Sequence, residues 1–317
     1  LGHQYSLLIG ADVPLGNIQQ HGWNIVNIRS PFKLQAAQIQ ARVDWVFTAG
    51  FDFMTTESGL SEFHAPECEL MLGLLNEFAR HVNETWGREA GVKVHCSTGQ
   101  RCEEYNDPIT GDPLNFNFLP YYAHKGLGVF PHTIQIYSLD DPTAGAYGNH
   151  DFGYMEEYMV HEAKAGNRSV IYYPETAYWV NVDVDVPLFL PVYGQRRQHD
   201  LRRLARRETL EGFKLHGQMN FDSGWEWGYW LSDVVTARAA WQPTLYPSLT
   251  ANFTAQGEEE DVEEGEGAAD CVEALRRGDP SSQSATATAT AAATVTATNA
   301  AGAATTTTTT AVGKAKA

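Results

Sequence analysis

Two glutamates hold the most chemical promise in this chain. Glu57 closes the run Phe51-Asp52-Phe53-Met54-Thr55-Thr56, and Glu175 closes Ser169-Val170-Ile171-Tyr172-Tyr173-Pro174. Residues at the carboxyl end of a β-type run face the mouth of a βα fold, where chemistry takes place. Two carboxyls set across a gap can divide the work of acid and nucleophile between them, as the cleavage of a glycosidic bond requires. Other polar and aromatic side chains stand at comparable places. His95 follows Val92-Lys93-Val94, and His132 follows Leu127-Gly128-Val129-Phe130-Pro131, with Tyr137 beyond it. Glu175 is followed by Tyr178 and Trp179, and Asp222 by Trp225, Glu226 and Trp227. Flat aromatic faces stack on the C–H patches of sugar rings while carboxylates and amides take the hydroxyls. The expected substrate-binding set is therefore His132, Tyr137, Tyr178, Trp179, Asp222, Trp225, Glu226 and Trp227. In an extended loop Trp225 and Trp227 share one side and Glu226 the other. Trp230 is expected in the core, because Trp is heavily buried on average.

The elements that must hold these residues follow from the same pattern. β-Type runs occur near Tyr5 to Ile9, then at 51–57, 92–95, 127–132, 169–173 and 217–221. From Phe53 to Lys93, Phe130, Ile171 and Met219 the steps are 40, 37, 41 and 48 residues, about the length of a βα unit with an elaborated loop. Leu34 to Thr48 predicts a helix with Ile39, Val43, Val46 and Phe47 on one face. Pro66 to Trp86 predicts another with Leu70, Leu74, Leu75 and Phe78 inside. Strands alternating with helices call for a parallel sheet. No Gly-x-Gly-x-x-Gly or Gly-x-x-x-x-Gly-Lys-Ser/Thr run follows any of them, which argues against a nucleotide fold. The expectation is a (β/α)8 barrel over residues 1–256 that lacks its first one or two βα units.

This layout resembles the clan of retaining (β/α)8 glycoside hydrolases over about residues 40–241. The resemblance implies that Glu57, after strand four, is the acid/base, and that Glu175, after strand seven, is the nucleophile. It implies that His132 or Tyr137 contacts nucleophile and substrate, and that Trp225 or Trp227 floors the sugar subsite. The partner is then a carbohydrate, with no cofactor and no metal. Many clan members have Asn before the acid/base, where this chain has Thr56. Two alternatives stay open. His95, His132 and Asp222 fit an amidohydrolase-type metal barrel. A glycan-binding barrel without catalysis would keep the tryptophans and tolerate loss of Glu57.

Composition narrows the classes further. With 22 Lys+Arg against 39 Asp+Glu the net charge is −17, which argues against a nucleic-acid partner. No stretch of about 18 apolar residues occurs, so no membrane span is expected. From residue 257 the chain turns acidic and then almost wholly Ala, Thr and Ser, without an aromatic residue, so 257–317 is expected to lack order. The basic run Arg196 to Arg207 reads as an outer helix with Leu201 and Leu204 inward and a solvated basic face. Cys96 and Cys102 are spaced to close a small disulfide loop. With sequons at Asn83, Asn167 and Asn252, that pairing leans toward a glycoprotein of the secretory route. Sugar, linkage and oligomeric state are not legible.

Overall fold

The computed structural model describes residues 2–16, 24–59, 67–95, 99–133, 136–142, 152–176, 191–221, 226–243, 290–297 and 307–314. In chain order its main elements are β1 (Leu7–Asp12), α1 (Phe32–Thr48), β2 (Phe53–Glu57), α2 (Cys68–Arg80), β3 (Glu89–Val94), β4 (Arg101–Asn106), β5 (Pro113–Asn115), β6 (Leu127–Pro131), α3 (Phe152–Ala165), β7 (Ile171–Tyr172), α4 (Pro191–Glu211), β8 (Gly217–Gln218), α5 (Glu226–Trp241), β9 (Thr290–Ala297) and β10 (Thr307–Lys314). The six β-type runs expected from the sequence are all strands, with β1 reaching Asp12 rather than stopping at Ile9.

The fold is mixed α/β around a four-stranded parallel sheet in which β1, β2, β3 and β6 lie side by side in that order. Backbone hydrogen bonds carry parallel pairing onward. Val129 N donates to Ser169 O and Tyr173 N to Pro131 O, and β7 pairs with β8 in turn. Parallel bridges at Val129–Val170 and Glu175–Phe221 fix the register. Successive strands are neighbours throughout, with no reversal of order. At the other edge β10 pairs antiparallel with β1, Leu8 opposite Val312, and β9 pairs with β10. These two segments of the expected disordered tail are thus strands. Thr favours extended backbone, and an open sheet edge offers unpaired N–H and C=O groups. The rest of 257–317 lies outside the described residues. No helix is long and apolar enough to cross a membrane among the described residues.

Side chains alternate across a strand, so the sheet has two faces. Met54 of β2, Ala90, Val92 and Val94 of β3, Leu127 and Val129 of β6, then Val170 and Tyr172, all point to one of them. There they join buried residues of all five helices, among them Ile39, Val43, Leu74, Phe78, Tyr158, Met159, Leu201, Leu204 and Ala239. The other face holds a separate cluster of strand residues alone, Phe130, Tyr173 and Met219 with Ile171 and Phe221 against it. Glycines make room for the rings on this face. A Cβ at Gly10 would lie 2.1 Å from the Phe53 ring, and one at Gly91 would lie 2.5 Å from Phe130.

Several local expectations are corrected. The disulfide joins Cys68 and Cys102, with Cα atoms 5.9 Å apart, because the β4–β5 hairpin brings Cys102 to the start of α2; Cys96 lies outside the described residues. The helix expected to Trp86 ends at Arg80 and continues as a π-turn over His81–Thr85. Glu226 and Trp227 open helix α5 and are not in an extended loop. Trp230 is 57% exposed, not core, and lies with Val234 and Trp241 on the solvent side of that helix. The basic run of α4 is a solvated face only in part, with Arg206 exposed and Arg196 and Arg203 about 40% exposed. Arg203 and Arg207 pair with Glu156 of α3, and Arg197 is fully buried.

Candidate functional site

Register decides which side chains meet. Asp12 lies opposite Thr55, Glu57 opposite Lys93, and Lys93 opposite Phe130. Tyr173 and Glu175 continue past β7, and Glu175 bridges to Phe221. By this parity Asp12, Glu57, Lys93, His95, His132, Tyr173 and Glu175 all belong to the face that the helices leave uncovered, at the carboxyl ends of their strands. Glu57 and Glu175, far apart in the chain, are brought to one end of one face.

Lys93 is the hub. Its ammonium forms a close ion pair with Glu57 and lies 5.6 Å from the centre of the Phe221 ring. Burial would pull its pKa down, but Glu57, then Asp12 and Glu175, more than offset this and hold it above the ordinary lysine value. Asp12 accepts a hydrogen bond from Thr55 Oγ1 at 2.8 Å. Its carboxyl is raised to about 6, by burial first and by Glu57 second, against the opposing pull of Lys93 and Thr55.

His132 is buried and its Nδ1 stands 2.8 Å from Tyr173 O, a carbonyl that can only accept, so Nδ1 carries the proton. Its Nε2 faces Glu175 Oε1 at 3.4 Å. That contact is an ion pair only if the imidazole is charged, and burial, followed by Lys93 and His95, drives the His132 pKa well below its ordinary value. His132 therefore meets Glu175 as a neutral ring. His95, centred 5.1 Å from His132, is pushed down to about 3 by burial and Lys93, and its Nδ1 is buried without a hydrogen-bond partner among the described residues. Tyr173 packs on His132 and Phe221, and its phenol is raised well above the ordinary range by burial and then by Asp12, Glu57 and Glu175.

Arg197 fixes the frame. It donates to Thr133 Oγ1 at 2.8 Å and to the carbonyls of Glu175 and Tyr137, and pairs with Asp200 at 3.3 Å. One guanidinium thus ties together the chain after β6 and the chain after β7, which carry His132 and Glu175. Tyr137, expected to bind substrate, joins this network through its backbone carbonyl alone. Tyr178, Trp179, Asp222 and Trp225 lie outside the described residues, as do the side chains of Glu226 and Trp227. Among the described residues no three His, Cys, Asp or Glu side chains are arranged to hold a metal ion; the third member of the alternative metal set, Asp222, is not among them.

Asp12, Lys93, Tyr173 and Arg197 were not singled out from the sequence. For Lys93 a signal was available, since it alternates with Gly91 and His95 inside an apolar strand, and a charge at an inward strand position is seldom neutral in meaning. Comparisons of the chain with models of known protein families and with curated proteins find no match.

Proposed function

We propose that the protein is a glycoside hydrolase working through Glu57 and Glu175, on a fold that is the greater part of a (β/α)8 barrel. Three features support the fold. Successive parallel strands are neighbours without reversal, all five helices cover one face, and the opposite face carries the ionisable groups. A doubly wound sheet would reverse its order and place helices on both faces.

The observation that carries the function is the placing of two strand-end carboxylates, three strands apart, at the same end of one sheet face, with Lys93 paired to the first of them. Glu175 would attack the anomeric carbon and displace the leaving oxygen, which takes a proton from Glu57. Glu57 would then remove a proton from the water that releases the sugar. Lys93 would favour the negative charge each carboxyl must carry at one stage of the cycle.

The test is a panel of aryl glycosides against wild type, Glu57→Gln and Glu175→Gln. Wild type should cleave at least one, and each variant should lose about 10²- to 10⁴-fold in kcat. With a dinitrophenyl leaving group, which needs no proton, Glu57→Gln should keep its glycosylation burst while Glu175→Gln shows none. Oligosaccharide binding without cleavage by wild type would overturn the proposal in favour of a glycan-binding barrel.

A further inference from the structure

We infer that Asp12 and Glu57 form a proton-sharing pair about Lys93, in which Asp12 acts as a positioning residue that keeps the acid/base supplied with its proton. This deepens the proposed function and rests on it for the role of Glu57. An acid/base needs a proton at rest, yet Glu57 stands in a close ion pair with Lys93. A neighbouring group must therefore hold the proton when Glu57 does not.

Asp12 is placed to be that group. It lies on the adjacent strand, on the same face, two register positions before Glu57, which puts the two backbones roughly 8 Å apart at the usual strand spacings. Glu57 pairs with Lys93, which stands opposite it in β3, and Asp12, held by Thr55 Oγ1, is its diagonal neighbour on the same face, within side-chain reach across the pair of strands. Two carboxyls about one ammonium cannot both ionise at no cost; one of them keeps a proton to higher pH. The raised Asp12 carboxyl agrees with this. The groups facing the pair are Thr55, Lys93, Tyr173 and, through Lys93, Glu175; His95 and His132 are neutral.

The step moves one proton and nothing else. The Asp12 carboxylic acid gives its proton to the Glu57 carboxylate, and Lys93 exchanges its Glu57 partner for the new Asp12 carboxylate. Glu57 then delivers the proton to the leaving oxygen. After Glu57 takes a proton from water, the pair is again singly protonated.

The experiment follows carboxyl ¹³C shifts and kcat/KM against pH in the full chain, for wild type, Asp12→Asn, Glu57→Gln and Lys93→Met. In wild type Asp12 should titrate near about 6. Glu57→Gln, which removes the like charge, should lower that value. Asp12→Asn should move the alkaline limb of kcat/KM down by about one pH unit, and Lys93→Met should move it up by about as much or more. Shifts of opposite sign are not what loss of packing produces. Asp12 titrating like an exposed aspartate, or both limbs moving the same way, would overturn the inference. Should Lys93→Met fail to fold, the Asp12→Asn limb and the Glu57→Gln titration decide alone. Should wild type cleave no glycoside, the hydrolase proposal fails, while the ¹³C titrations still decide whether the pair shares a proton.

Discussion

The two faces of the parallel sheet solve opposite problems. On the helix-covered face, Val92, Val94, Leu127 and Val129 meet Leu74, Phe78 and Met159 at full burial. A buried arginine is anchored there as well. Arg168 pairs with Glu162 at 3.4 Å and donates to the carbonyls of Pro120, Tyr121, Ala123 and Leu127. On the other face, Glu57 pairs with Lys93, Asp12 and Glu175 add to the negative field on that ammonium, and burial keeps two imidazoles neutral. The first face stabilises the fold, and the second is held in place against its own electrostatics. A surface kept at such a cost is where a reaction is to be sought.

That contrast can be broken from either side. The largest effect is expected at Arg168. Arg168→Ala leaves Glu162 buried with its ion-pair partner gone and removes the guanidinium's hydrogen bonds to four carbonyls, and should destabilise by about 3–5 kcal/mol in urea unfolding. Cys102→Ser opens a bridge that spans 34 residues and should cost about 3–4 kcal/mol, measured the same way under oxidising conditions.

Asp12→Asn should act in the opposite sense. The folded-state pKa of Asp12 is raised, so its protonated form belongs to the fold. Its contribution to stability is complete below pH 3.8 and is lost as pH rises through about 6. The Asn variant should match wild type in Tm at the acid end and melt higher above pH 6. A Tm that falls at neutral pH would show that the two faces do not differ as described.

The smallest effect is expected at the half-exposed pair His199–Asp140, 2.9 Å apart on the helix side. The Asp140 hydrogen bond raises the His199 pKa despite partial burial, so this pair stabilises below pH 6.5 and ceases to do so as pH passes the raised value. Asp140→Asn should return the His199 titration in ¹H NMR toward 6.5 and cost less than about 1 kcal/mol.

Much of the scaffold was legible because strand alternation leaves a two-residue signature. Runs such as Leu127 to Phe130 announce themselves whatever surrounds them. The β4–β5 hairpin is not, since Arg101-Cys102-Glu103-Glu104-Tyr105 is mostly polar, and spacing along the chain favours Cys96 over Cys68 as the partner of Cys102. At the site, Glu57 and Glu175 were found because they end strands. Lys93 and Asp12 were passed over because they sit inside or just beyond apolar runs, where only register tells which way they point. Arg197 looked like one of several solvated arginines. Its burial depends on carbonyls some 20 and 60 residues away, a relation that no local pattern contains.

Helix α5 turns Trp230 and Trp241 outward, each 57% exposed and eleven residues apart, so that the two indoles stand on the same side three turns from one another. Both emit into water. Any body seated on that flank would dry both rings together and move their fluorescence to shorter wavelength.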